Sequence, residues 1–279
     1  MTYPDSLPGY LDAAQEAARR GAAVLEEWRR RFRVREKARF DLVTEADLAS
    51  QRAVREFLTS SYPDHAFLGE ETEAAGRVEA SPRVVTAPLG DAPPTWIVDP
   101  LDGTTNYVHD FPLYCVSVGL QIAGELVVGV VYEPARQEMF VAARGHGAWL
   151  NGQRLRPSSV GRLEEALLST GFPPDLRGQE RMLDWWRHFS LRAQSLRRTG
   201  STALNLAYLA AGRFDGYWAF DNHVWDVAGG TVLVREAGGT ITNVDGSAYD
   251  PYTPDALASN GHLHPVLLEQ FRQGPERRM

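Results

Sequence analysis

The apolar pattern changes character near residue 151, and that change restricts the fold more than any other feature of the chain. Before it, Cys115 to Leu150 reads as antiparallel strands. Val116, Val118 and Leu120 alternate, Gly124 turns the chain, Leu126 to Tyr132 returns, and a third strand covers Glu138 to Ala142. Asn151-Gly152 is a two-residue hairpin signal. After it, strands and helices alternate. Strands are expected at Leu167–Ser169, Phe214–Ala219, Thr240–Val244 and Ala256–Ser259. Helices are expected at Gln179–Ala193, Ser201–Ala211, Trp225–Ala237 (closed by Gly238-Gly239) and His264–Arg272. Antiparallel strands followed by alternation predict a layered α+β or α/β chain of two subdomains, 1–151 and 152–270, with 271–279 as a disordered tail.

The N-terminal part adds two helices. Leu11, Ala14, Ala18, Ala22, Leu25 and Trp28 recur at helical spacing within residues 9–32. Thr44-Glu45-Ala46-Asp47 resembles a capping box opening a helix that ends at Tyr62-Pro63. A short strand, Ala66–Gly69, runs into Glu70-Glu71. Residues 72–95 have little periodicity and read as a mobile loop, able to open and close over a site. Trp96-Ile97-Val98 is a buried strand that runs straight into Asp99-Pro100-Leu101-Asp102.

Composition excludes several chemistries. The net charge of −7 argues against a general nucleic-acid binder. Cys115 is the only cysteine, so there is no intramolecular disulfide, Cys-rich zinc site or CxxC pair, and a reducing, cytoplasmic compartment fits. Lys37 is the only lysine, which leaves Walker-type loops and Schiff bases almost nowhere to sit. No apolar run reaches the ~20 residues of a membrane helix, and the N-terminus lacks the marks of a signal peptide. The seven histidines form no HExxH, and there is no GxSxG elbow.

The informative residues are acids at strand ends and helix starts: Glu70 and Glu71, Asp99 and Asp102, Asp226, and Asp47. Each has a structural reading of its own: cap, turn starter, dipole partner or exposed charge. Together they suggest carboxylates converging on one cleft, whose repulsion a hard divalent cation such as Mg²⁺ would relieve. Gly103-Thr104-Thr105-Asn106 follows with small residues whose amides can cradle phosphate, and Thr104 can orient a water. Thr199-Gly200-Ser201-Thr202 is a second anion-friendly turn, in which Ser201 reads equally well as an N-cap. Carboxylate-held metal beside an amide nest is the apparatus of metal-assisted phosphate-ester hydrolysis.

These segments resemble the inositol monophosphatase family. Asp99-Pro100-Leu101-Asp102-Gly103-Thr104-Thr105-Asn106 resembles its DP-(I/L)-DGT-(T/S)-N motif, and Trp225-Asp226-Val227-Ala228-Gly229-Gly230 its second motif. Asp41–Asp47 and Phe67–Glu71 match two further segments in the same order. The resemblance implies a layered α-β-α-β-α sandwich of the inositol monophosphatase and fructose-1,6-bisphosphatase type. It implies a homodimer, two to three Mg²⁺ ions and frequent Li⁺ sensitivity. By position, Glu70, Asp99, Asp102 and Asp226 would bind metal through side chains and Leu101 through its carbonyl. Gly103 and Thr104 would hold phosphate, Asp47 and Thr104 would activate water, and Gly200, Ser201 and Thr202 would touch the alcohol. Ala219 stands where inositol-preferring members carry a Glu that bonds inositol hydroxyls, with Asp221 close by. The implied activity is hydrolysis of a small polyol or sugar phosphate ester of the inositol 1-phosphate type. Fructose-1,6-bisphosphatase, histidinol-phosphatase and nucleotide 3′-phosphatase activities are the alternatives within the superfamily. A regulatory protein- or RNA-associated module with little turnover is the alternative of another class.

Overall fold

A computed structural model describes residues 7–39, 41–74, 77–80 and 92–275. The chain opens with helix α1 (Leu7–Trp28), whose inward face is mostly alanine and lies close on its neighbours. A hairpin of β1 (Val34–Ala38) and β2 (Asp41–Thr44) leads into α2 (Glu45–Ser61). The hairpin escapes sequence reading because Arg35 and Glu36 hide any apolar alternation. The expected capping box is present: the Thr44 hydroxyl accepts from the amides of Ala46 and Asp47, and Asp47 accepts from the Thr44 amide.

Strand β3 (Ala66–Gly69) follows, then β4 (Glu71–Ala74) and β5 (Arg77–Ala80), which pair antiparallel. This corrects the expected loop over 72–95: part of it is a hairpin, and residues 75–76 and 81–91 lie outside the described residues. Next come β6 (Thr95–Asp102), the single-turn helix α3 (Thr104–Val108), β7 (Cys115–Ile122), β8 (Glu125–Glu133), β9 (Glu138–Ala143), β10 (Gly147–Leu150) and β11 (Gln153–Arg154). A seven-stranded sheet takes the order β11-β10-β9-β8-β7-β6-β3. Asn151 and Gly152 make the expected two-residue turn between β10 and β11, so the first sheet ends just beyond residue 151.

The second sheet contains β12 (Leu167–Thr170), β13 (Ser195–Arg198), β14 (Gly216–Ala219), β15 (Thr240–Thr242) and β16 (Ala256–Ser259) in the order β13-β12-β14-β16-β15. Its helices are α4 (Glu180–Ser190), α5 (Thr202–Ala210), α6 (Val224–Ala237) and α7 (His264–Gln273). Helices α1 and α2 cover the outer face of the first sheet. Helices α5 and α6 fill the space between the sheets. Helices α4 and α7 cover the far face, where Trp185, Phe189, Trp218 and Phe271 cluster. The result is the five-layer α-β-α-β-α sandwich that the resemblance implied. The expected disordered tail from 271 is corrected: residues 271–273 continue α7, because the Phe271 ring lies 4.4 Å from that of Trp185 and is drawn into the core.

Candidate active site

Carboxyl ends of parallel strands meet between the two sheets. In the first sheet β3 and β6 run parallel, so Glu70 leaves β3 beside the end of β6, its amide donating to the Val98 carbonyl at 3.1 Å. In a regular strand Asp99 and Asp102 would face opposite sides. A β-bulge prevents this. Asp99 pairs with Ser117 and Asp102 with Cys115, so one extra residue on β6 brings both acids to the same face. Pro100 suits the bulge because it has no amide to leave unpaired. The Ser50 hydroxyl of α2 pins its carbonyl at 2.9 Å, and the Leu101 amide donates to Asp99 Oδ1 at 3.0 Å.

Asp102 then crosses to the other half of the chain. Its Oδ2 accepts from Ser201 Oγ at 2.7 Å and the Ala203 amide at 2.6 Å, and its Oδ1 from the Thr202 amide at 3.2 Å. The anion-friendly turn before α5 is thus engaged by the protein's own carboxylate. Ser201 is also the N-cap of α5, accepting from Leu204. Asp226 sits in the first turn of α6 and accepts from the His223 amide at 2.7 Å. His223 is held flat against Trp225, with ring centroids 4.6 Å apart.

Asp47 divides its two oxygens. Oδ2 is occupied by the Thr44 amide and hydroxyl, while Oδ1 meets Thr104 Oγ1 at 3.1 Å. Capping and site geometry are therefore compatible in one residue. Thr104 Oγ1 also lies 3.1 Å from the Leu101 carbonyl. Gly103 caps α3 at φ 100°, where a Cβ would stand 2.9 Å from the Leu113 carbonyl. The first intrahelical bond of α3 is Tyr107 to Gly103, so the amides of Thr104, Thr105 and Asn106 have no acceptor within the helix. Asn106 Nδ2 donates to both the Leu113 and Thr199 carbonyls, tying this turn to the one before α5.

A cavity of about 230 Å³ is lined by Glu70, Asp102 and Asp226 together with Gly200, Ser201 and Thr202. Burial holds Asp99 well above the usual carboxylate range, and the charges of Glu70, Asp102 and Asp226 push it further. Burial and the nearby Asp226 raise Asp102 to about 7 against the pull of its Ser201 hydrogen bond. Burial also raises Asp226, opposed by His223. Four mutually repelling carboxylates together with the Leu101 carbonyl are the donor chemistry of a hard divalent cation, and the residues fit one. Among the described residues no His, Cys, Asp and Glu side chains stand as a preassembled metal cluster, each Asp here being held by a polypeptide donor instead.

The sequence matches the model of the inositol monophosphatase family over residues 9–276. The chain belongs to this family. It is 39% identical over 276 residues to an inositol-1-monophosphatase of Synechocystis, covering 98% of this chain and 92% of that one. It is 42% identical over 217 residues to a protein of Pseudomonas aeruginosa named Nus factor SuhB, covering 77% and 76%. The inositol monophosphatase structure from Anabaena superposes with a TM-score of 0.82 at 37% identity, covering 96% of this chain and 97% of that one. The extragenic suppressor protein suhB of Bartonella henselae gives 0.85 at 34%, covering 95% and 99%. Membership of this phosphatase family agrees with the fold, and no helix among the described residues is long and apolar enough to cross a membrane.

Sequence reasoning missed part of the cavity wall. Asp41, Phe172, Arg198 and Asn222 line it, as does His223. Asp41 and His223 lie within three to six residues of acids already singled out, which was the available signal. Phe172 and Arg198 gave none, because only the pairing of β12 with β13 brings them together.

Proposed function

We propose that this chain is a Mg²⁺-dependent phosphomonoesterase acting on a small polyol or sugar phosphate, with inositol 1-phosphate the first ester to test. The observation that carries this reading is the bulge-driven convergence of Asp99 and Asp102, with Asp226 near enough for its charge to raise Asp99, beside the Gly103-Thr104 amides. Held by Glu70, Asp99, Asp102, Asp226 and the Leu101 carbonyl, Mg²⁺ supplies charge neutralisation and polarises water and phosphoryl oxygen. The chain's own residues do the rest. The amides of Gly103 and Thr104 hold the phosphate, and Gly200, Ser201 and Thr202 border the alcohol. Thr104 has one hydroxyl proton and two acceptors, Asp47 Oδ1 and the Leu101 carbonyl. Donating to Asp47 leaves the hydroxyl's lone pairs to accept a hydrogen bond from the attacking water, and as the water's proton passes to Thr104 Oγ1 the threonine's own proton passes to Asp47 Oδ1. Thr104→Ala and Asp47→Asn are each expected to lower kcat by about 10²- to 10⁴-fold with little change in KM. Steady-state kinetics on any turned-over ester checks this.

The same site makes stability depend on pH. Asp99, Asp102 and Asp226 are raised in the folded chain, Asp102 to about 7. The metal-free fold therefore retains protons that the unfolded chain has released, and its stability falls as pH rises from the ordinary carboxylate range through about 7. A cation removes the repulsion that appears there. The Tm gain on adding Mg²⁺ to EDTA-treated protein should be larger near pH 8 than near pH 5.5. Equal gains would count against a carboxylate site.

The decisive experiment is a substrate panel with and without Mg²⁺: inositol 1-phosphate, fructose 1,6-bisphosphate, histidinol phosphate and a nucleoside 3′-phosphate. No metal-dependent turnover on any of them refutes the reading. A cytoplasmic homodimer accompanies it, checked by sedimentation and cell fractionation. One relative's name, Nus factor, together with the exposed Arg31, Arg33 and Arg35, favours a second reading as a regulatory RNA-associated module. RNA capture without ester turnover would select it.

A further inference from the structure

Part of the same cavity's lining comes from the carboxyl ends of three parallel strands. β12 delivers Phe172, β13 ends in Arg198, and β14 ends in Ala219. Ligands of α/β sheets bind at such strand ends. Ala219 offers only a methyl group. Arg198 is an exposed cation whose guanidinium lies 5.3 Å from the centroid of the Phe172 ring. A cation–π contact at this distance holds the guanidinium near the ring face without using its N–H donors.

Some arginines of the fold are matched by acids, Arg29 and Arg30 by Asp110, Arg136 by Glu133 and Arg213 by Glu138. Among the described residues Arg198, the arginine that lines this cavity, has no carboxylate partner, although the protein as a whole is acidic. Asp41 and Asp221, the further acids in the cavity lining, are each engaged in contacts of their own. Two residues beyond Arg198, Gly200 packs on Asn106, a Cβ there standing 3.0 Å from Asn106 Nδ2. Asn106 follows the Gly103-Thr104 amides and donates to the Thr199 carbonyl, so the segment that carries Arg198 is tied to the proposed phosphate turn, and Arg198 shares the cavity with Asp102 and Asp226.

We propose that Arg198 receives a second anionic group on the alcohol portion of the substrate, a carboxylate or a further phosphate. The site then prefers such esters to those of neutral polyols. This inference rests on the phosphatase reading and narrows its substrate class. A planar guanidinium edge binds either anion through paired N–H donors, which a neutral hydroxyl cannot match in strength.

The test compares kcat/KM, with Mg²⁺, for glycerol 2-phosphate, 3-phosphoglycerate and fructose 1,6-bisphosphate, in the wild type, Arg198→Met and Arg198→Lys. The wild type should favour at least one of the two esters with an extra anion over glycerol 2-phosphate. Whichever is favoured identifies carboxylate or phosphate as the partner. In Arg198→Met that preference should shrink by at least about tenfold, mainly through KM, and Arg198→Lys should retain part of it. If glycerol 2-phosphate is the best substrate of the wild type, or if Arg198→Met lowers all three values together, the inference is wrong and Arg198 merely packs on Phe172. If the wild type hydrolyses none of the three, nor any ester of the wider panel, the phosphatase reading itself falls and this one with it.

Discussion

Asp102→Asn should lower kcat by roughly 10³-fold or more, because it removes one charge from the carboxylate set proposed above to hold the metal beside the phosphate. The same change should leave the fold standing. Asp102 is raised to about 7 by burial, so its ionised form is disfavoured in the folded chain and a neutral isostere relieves that cost. Against this, an amide nitrogen placed toward the Thr202 amide exchanges an acceptor for a donor at one of three contacts. That opposing cost is about 1–3 kcal/mol. The two nearly cancel, so the metal-free variant near pH 8 should melt within roughly 5 °C of the wild type, while the Tm gain on adding Mg²⁺ shrinks sharply. Calorimetry and kinetics on one preparation check both halves. Full activity, or an undiminished response to Mg²⁺, would remove Asp102 from the metal site.

The second large effect falls on a residue that touches no substrate. A Cβ added to Gly129 of β8 would stand 2.2 Å from the carbonyl oxygen of Gly229 on α6. The Cβ is fixed by the backbone of β8 and the oxygen belongs to the main chain of α6, so no rotamer change can relieve the contact. Gly119 on the neighbouring strand is nearly as close, its Cβ falling 2.7 Å from Ala228. These contacts seat α6 directly on the first sheet. Gly129→Ala therefore has to lift the helix or bend the strand, at about 3 kcal/mol or more. At 2–4 °C per kcal/mol this is a Tm lower by roughly 6–12 °C. Because α6 carries Asp226, the lifted helix also withdraws a carboxylate from Asp99, and kcat should drop although every acid is still present. Gly161→Ala, where an added Cβ meets nothing within 4 Å, is the control and should change neither quantity appreciably.

What was legible in the sequence was local. The Thr44 capping box, the Asn151-Gly152 turn, the C-terminal stop of α6 at Gly238 and the alternating strands each depend on a few adjacent residues, and each stands in the fold. The converging acids were legible as a set because each follows a strand or opens a helix. What stayed hidden depends on residues far apart. The bulge at Pro100-Leu101 exists only relative to β7. The role of the Thr199–Thr202 turn was left open between cap and anion site, because the carboxylate that engages it arrives from a hundred residues earlier. The β4–β5 hairpin lacks apolar alternation, and the helix that reaches Phe271 was expected but its seat against Trp185 and Phe189 was not.

The bulge in β6 has a consequence for how such a chain can diverge. Substitutions around it can be judged side chain by side chain, but a codon gained or lost between Asp99 and Asp102 cannot. It would restore or overshoot the regular pleat, and one acid would swing toward the α1–α2 side of the sheet with its chemistry intact and its address wrong. Descendants that drift freely in composition here must still conserve the number of links, so in this stretch arithmetic is inherited more strictly than identity.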